Sequence, residues 1–239
     1  MVFEGEQTEK IIFDSLKQYF LNENTNTIVY GFHCGEIYSL YHKLYNDGDL
    51  ELFPLLKEKL QAKNIELQDI KRDEVSEIYL FFDYDGHASA GDDIKLESML
   101  ESFNNETVNG KLYISYPMVE AIQHLKQDID FKTTLANSSK DYKRIASNNC
   151  DECYADLENL NLTHDDWNII INEHCKKLNF IMINNFDFPS NLFEQKDLLA
   201  KQIVLKEQND NKVSVLSSFP IMLMDYYGVT KLQEKIESI

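Results

Sequence analysis

Arginine is nearly absent from this 239-residue chain: Arg72 and Arg144 are the only two, so the planar bidentate clamps with which guanidinium groups hold phosphates are scarce. Positive charge as a whole is short. Lys and Arg total 23 against 41 Asp and Glu, a formal net charge of −18, and this excludes a chain that holds nucleic acid by bulk electrostatics alone. A nucleic-acid enzyme with this balance needs metal ions, a local basic patch or a basic partner. Cysteine is sparse too: Cys34, Cys150, Cys153 and Cys175 are too few and too irregular to frame a secreted disulfide scaffold. No apolar run reaches the length of a membrane span or a signal peptide, so the chain is expected in the cytoplasm and off the membrane. Repeats and low-complexity linkers are missing, and the length allows one large or two modest domains.

What the chain does have is a run of apolar and aromatic residues that ends in acid: Ile78-Tyr79-Leu80-Phe81-Phe82-Asp83-Tyr84-Asp85-Gly86. The apolar part predicts a strand buried on both faces, as in a parallel sheet. Residues two apart on a strand share a face, so Asp83 and Asp85 are expected to present their charges together at its carboxyl end, where open α/β sheets bind ligands. Two such charges need a proton or a cation between them, and oxygen ligands suit Mg²⁺ or Mn²⁺. The plain alternative is a turn, since Asp and Gly commonly terminate strands.

The pattern around this run alternates strands and helices, which predicts a mostly parallel, doubly wound sheet. Val2-Phe3 reads as a short strand with Glu4 at its carboxyl end, followed by a helix with an apolar stripe of Ile12, Leu16, Tyr19 and Phe20. Glu9 falls in that helix's first turn, where the dipole favours a carboxylate whether or not it has another role. Thr27–Gly31 reads as a second strand, with His33 and Cys34 in the turn after it. Helices are expected over about Glu36–Leu44 and Leu50–Ala62. A polar loop from His87 to Asp93 then leads into a helix through Leu96, Met99, Leu100 and Phe103. Leu112–Ser115 is the next strand, and Pro117 is expected at the first position of a following helix, on which Glu120 and His124, four apart, share a face.

Beyond about residue 131 the chain reads as a mainly helical extension packed on the 1–130 core. Lys132, Lys140, Lys143 and Arg144 make its first part the most basic stretch; Lys140, Lys143 and Arg144 are the local candidates for a nucleic-acid backbone, with a solvated loop as the plain alternative. Thr163 is expected to cap a helix bearing Trp167, Ile170, Ile171, His174 and Cys175 on one face. Phe180–Ile183 is either a last strand or a continuation. Two more helices are expected, Asn191–Lys206 and Phe219–Tyr227 with Gly228 as its stop. Cys150-x-x-Cys153 invites zinc with His164, His174 or Cys175, but the spacing is not a standard one, and reduced thiols are expected instead.

One Glu after a first strand and an Asp-x-Asp after a later one resembles the metal-binding pattern of TOPRIM domains, shared by topoisomerases, primases and the overcoming-lysogenization-defect nucleases. A closer resemblance is to the RloB-like, abortive-infection branch. Its opening, Val-x-Glu-Gly-x-x-Thr-Glu, stands here as Val2 to Glu9, and its Ser-x-Pro-x-x-Glu element as Ser115 to Glu120, with His124 after it. The match covers residues 1 to about 130. It implies a TOPRIM-like, Rossmann-like α/β fold. It also implies a metal-dependent nuclease of RNA, such as tRNA, or DNA in antiphage defence, often beside an ABC- or AAA-type ATPase; a homo-oligomer is compatible with it. Under that resemblance Glu4, Asp83 and Asp85 hold Mg²⁺ or Mn²⁺. Glu4 also serves acid–base chemistry, Glu120 ligates a second ion or orients His124, and Glu9 supports from behind. Another reading is a TOPRIM-shaped module without catalysis, docking by its acidic edge on a basic partner; a primase-like nucleotidyl transferase ranks last.

Overall fold

The computed structural model of the chain describes residues 1–5, 7–21, 31–33, 42–44, 46, 51–61, 70–84, 90–139, 141–157 and 160–237, with the backbone alone at 32, 33, 59–61 and 90–92. Seven strands are described: β1 (Val2–Phe3), β2 (Phe32–His33), β3 (Tyr79–Asp83), β4 (Asn104–Asn105), β5 (Gly110–Ser115), β6 (Leu135–Asn137) and β7 (Lys212–Ser214). The helices used below are α1 (Thr8–Phe20), α2 (Leu52–Gln61), α3 (Ala90–Ser102), α4 (Tyr142–Asn148), α5 (His164–Ile183), α6 (Gln195–Gln208), α7 (Ser218–Tyr227) and α8 (Val229–Glu237).

The apolar run folds as its composition demands. Tyr79, Leu80, Phe81 and Phe82 are all buried, and β3 pairs in parallel with β1 on one side and β5 on the other. The main sheet has the order β2-β1-β3-β5-β4, parallel except for the short β4 at its edge. This is a mixed α/β architecture with a mostly parallel sheet, compatible with a Rossmann-like fold. From β1 the chain moves outward to β2 and then returns across β1 to place β3, so the order reverses between β1 and β3. Such a reversal opens a crevice at the carboxyl ends of those two strands.

The rows Phe3, Phe81 and Tyr113 face the same way across three strands. Phe81 stacks on Tyr113 at 5.7 Å and on Phe219 of α7 at 4.7 Å, while Phe3 meets Phe13 of α1 at 5.3 Å and Phe219 at 6.2 Å. Residues beyond 131 therefore cover a sheet made by residues before it, and both segments contribute to one continuous buried core. The joint is also polar. Tyr116 and Leu216 exchange backbone hydrogen bonds at 2.8 and 2.7 Å, and the Ser115 and Ser218 hydroxyls meet at 2.8 Å. At the far edge Gly110 adopts φ 90° where a Cβ would press on Leu52 of α2, so both conformation and space favour glycine.

Helix α5 starts at the expected cap: the Thr163 hydroxyl accepts from the Asp166 N–H at 3.2 Å, and the Asp166 carboxylate accepts from the Thr163 N–H at 2.8 Å. Trp167, Ile170, Ile171, His174 and Cys175 are buried on it. Phe180–Ile183 continues this helix, which stops where Asn184 turns left-handed at φ 59°. Other boundaries differ from expectation. Residues 90–93 are helical instead of loop. Residues 27–30 lie outside those described, and the second strand sits at Phe32–His33, a stretch expected to be turn. The basic segment after 131 contains β6, pinned to β7, where the fully buried Gln202 makes two bonds to the Ser214 backbone at 3.0 and 2.8 Å. Among the described residues no helix is long and apolar enough to cross a membrane.

Because Phe219, from the later segment, is buried against Phe3 and Phe81 of the earlier one, Phe219→Ala should cost about 3–5 kcal/mol. Urea unfolding followed by both far-UV circular dichroism and the single Trp167 should show one transition moved to lower urea. Two separated transitions, or a loss under about 1 kcal/mol, would contradict a shared core.

Candidate functional site

The reversal between β1 and β3 sets Glu4 and Asp83 side by side. The Glu4 N–H extends the ladder to the Phe81 carbonyl at 3.1 Å, and the Glu4 side chain turns back so that its Oε2 accepts the Asp83 N–H at 3.0 Å. One turn into α1, the buried Glu9 accepts the Gly5 N–H at 2.7 Å. A Cβ at position 5 would collide with the Glu9 carboxylate, so glycine is what allows this glutamate to fold back over the end of β1.

A third segment closes the crevice. After β5 the chain forms a 3₁₀ turn, Val119–Gln123, instead of the α-helix expected from Pro117. With three residues per turn, positions four apart no longer eclipse, so Glu120 and His124 do not share a face as expected. The Val119 backbone acts electrostatically to favour the charged form of the Asp83 carboxylate, so the turn lies within range of the end of β3. Glu120 follows it into the same space: it is 5 % exposed and its Oε2 has no hydrogen-bond partner.

The electrostatics follow from this packing. Burial first, then the charges of Glu9, Glu4 and Glu120, push the Asp83 carboxyl well above the ordinary carboxylate range, against the opposing effect of the Val119 backbone. Burial likewise raises Glu120, opposed by its own backbone N–H and by the charge of Lys143. Carboxylates from three chain segments thus interact at one sheet edge, an arrangement stable only with a proton or a cation among them. The all-oxygen donor set fits a hard divalent cation. Among the described residues no three His, Cys, Asp or Glu side chains enclose a metal position; Asp85 lies outside those described. The set is convergent and open, with the bare oxygen of Glu120 as the atom that most needs a partner.

The remaining candidates fall around this crevice unequally. His124 is buried, with the Tyr142 hydroxyl of α4 3.1 Å from its Nδ1. Lys143 and Arg144 are exposed on α4, Lys143 within electrostatic range of Glu120 and Arg144 3.6 Å from Asp141. Lys140, Cys34 and the His33 side chain lie outside the described residues. Cys150 is buried and bonds the Ser147 carbonyl, whereas Cys153 is exposed. His174 and Cys175 sit in the core of α5, and the His164 ring stacks on Phe20 at 5.4 Å.

Two contributors had no distinct signal in the sequence. Tyr142 reads as one residue in a basic, polar stretch, yet it is fully buried, with its hydroxyl 3.1 Å from His124 Nδ1 and within electrostatic range of Glu120 and Asp83. Lys206 of α6 bonds the Tyr84 hydroxyl at 2.8 Å and Asp93 at 3.1 Å, while Tyr84 bonds Asp93 at 2.7 Å. This closed triangle fastens the residue after Asp83 to the extension.

The shift of Asp83 carries a stability consequence. A carboxyl raised in the folded state binds its proton more tightly there than in the unfolded chain, so folding loses stability as pH rises from the unfolded value near 3.8 through the folded one. Without added metal, Asp83→Asn should therefore be more stable than the parent at pH 7, and the gain should vanish near pH 3.5. Thermal unfolding across that range measures it; a variant less stable at pH 7 would contradict the repulsion.

Comparison with protein-family models, with curated proteins and with solved structures finds no match to this chain, so the functional reading rests on the residues and geometry described above.

Proposed function

We propose that the chain is a metal-dependent phosphodiester hydrolase, a TOPRIM-type nuclease that cuts RNA or DNA as an effector of antiphage defence. The observation that supports it best is the meeting of Glu4, Asp83 and Glu120, from three separate segments, at the one place where the sheet order reverses, with a buried Glu120 oxygen left bare. A folded protein retains such mutual repulsion where function requires the site.

In this reading Asp83 and Glu4, with Asp85, hold Mg²⁺ or Mn²⁺, and Glu120 adds an oxygen from the opposite wall. The cation, when bound, offsets charge on the attacked phosphate and acidifies a water. The chain's own part is placement. The Asp83 N–H fixes the Glu4 rotamer, pairing within β3 fixes Asp83, and the Gly5 N–H keeps Glu9 at the end of β1. Glu4 and Glu120 are the groups placed to accept or return a proton at the reacting oxygen. Lys143 stands on the rim where a phosphate backbone would pass. With a net charge of −18 the chain gains little from long-range attraction, which suits a nuclease brought to its substrate by a partner such as an ABC- or AAA-type ATPase.

Purified protein, alone and with such an ATPase, incubated with tRNA, single-stranded DNA and plasmid in Mn²⁺ should cleave at least one of them. Glu4→Gln and Asp83→Asn should each lower the rate about 100-fold or more. Cleavage that survives both substitutions would overturn the reading. Lack of cleavage of every substrate, with partner binding lost in the same variants, would identify a docking module instead.

A further inference from the structure

The strand end that carries Asp83 is gripped through the residue that follows it. Neighbouring residues on a strand point to opposite faces, so Asp83 lies in the row of Phe81 and Tyr84 in the row of Phe82. The Tyr84 N–H continues the ladder to the Ser115 carbonyl at 2.9 Å, and its buried ring packs on Tyr116 at 5.3 Å. The extension takes hold of its hydroxyl. Lys206 of α6 donates to it at 2.8 Å, and the hydroxyl donates in turn to Asp93 of α3 at 2.7 Å. Lys206 closes the triangle on the second Asp93 oxygen at 3.1 Å. The same two helices are tied again farther along, where Lys196 of α6 pairs with Glu97 at 3.4 Å and with Glu101. Helix α6 is thereby held along α3 at two points, and at one of them it holds Tyr84.

We propose that Lys206 is a positioning residue for the reaction at the acidic edge: through the Tyr84 hydroxyl it fixes how the end of β3 is turned about its own axis, and with it Asp83. The inference rests on the hydrolase reading of that edge. One residue before the gripped ring, the Asp83 N–H donates to Glu4 Oε2 at 3.0 Å. A rotation of the strand end would therefore turn the Asp83 carboxylate and break the Glu4 bond together. Register pairing with β5 ends at Asp83 and Ser115, so resistance to that rotation falls to the groups that fix Tyr84. The Lys206 and Asp93 side chains are 15 % and 14 % exposed. A charge pair so far from water is a poor choice for stability alone, because a well-packed apolar pair avoids its desolvation cost. What it supplies is direction: a hydroxyl with a fixed donor and a fixed charged acceptor is held in one orientation.

The test uses two readouts on the full chain. Amide hydrogen exchange followed by NMR reports the coupling without any substrate. Tyr84→Phe keeps the ring and leaves Lys206 beside Asp93; it should speed exchange of the Asp83 N–H about 10-fold while the Leu80 N–H stays as in the parent. Lys206→Met should do the same, and the double variant should exchange no faster than the faster single one, because the two side chains act as one unit. Cleavage is then measured in Mn²⁺ on whichever of tRNA, single-stranded DNA and plasmid the parent cuts. Both single variants should lose about 10-fold or more in kcat with KM unchanged. An Asp83 amide as protected as in the parent, or an unchanged kcat, would overturn the inference and leave the hydrolase reading standing. A parent that cuts none of the three would overturn that reading and the inference with it. Should Lys206→Met not fold, Tyr84→Phe alone decides.

Discussion

Repulsion among carboxylates that the fold does not let apart governs this protein. Asp83 is fixed by β3, Glu4 by the Asp83 N–H, Glu9 by the Gly5 N–H and Glu120 by the 3₁₀ turn after β5. The acids are thereby brought together at the carboxyl ends of β1 and β3, and their mutual repulsion adds to burial in raising Asp83. Lys143 tempers it from the rim. A chain that simply needed a stable sheet edge would have placed amides or serines there.

The extension serves this edge from behind. Phe219 closes the core against Phe3 and Phe81, Leu216 pairs with Tyr116, and Lys206 ties Tyr84 to Asp93. Elements from both segments therefore set the position of the strand that carries Asp83. The basic α4 plays an unexpected part in this. Its inner face supplies Tyr142 and Ala146 to the core, and its outer face carries Lys143 and Arg144. One short helix thus links the buried wall of the crevice to its rim.

Much of this was legible in the sequence because the relevant signals are local. The run Tyr79–Phe82 has no other low-energy place than a sheet interior, and the acid after it has to fall at the strand's end. Thr163, Asp166 and Gly228 are caps that act within a few residues. The 3₁₀ turn at Glu120 was hidden because it packs on α4, a contact that its own segment does not announce. Tyr142 was hidden for a similar reason. Its neighbours in the chain are polar, and only the packing of α4 on the 119–123 turn buries it. The short strands β4, β6 and β7 have too few residues to show a period.

The central claim is that these acids converge to hold a divalent ion. Anomalous scattering from a crystal soaked in Mn²⁺ addresses it most directly. The account predicts a peak within coordination distance of Asp83 and Glu4, with the Glu120 carboxylate turned toward it. Well-ordered acids with no peak between them, or a peak elsewhere on the acidic surface alone, would contradict it.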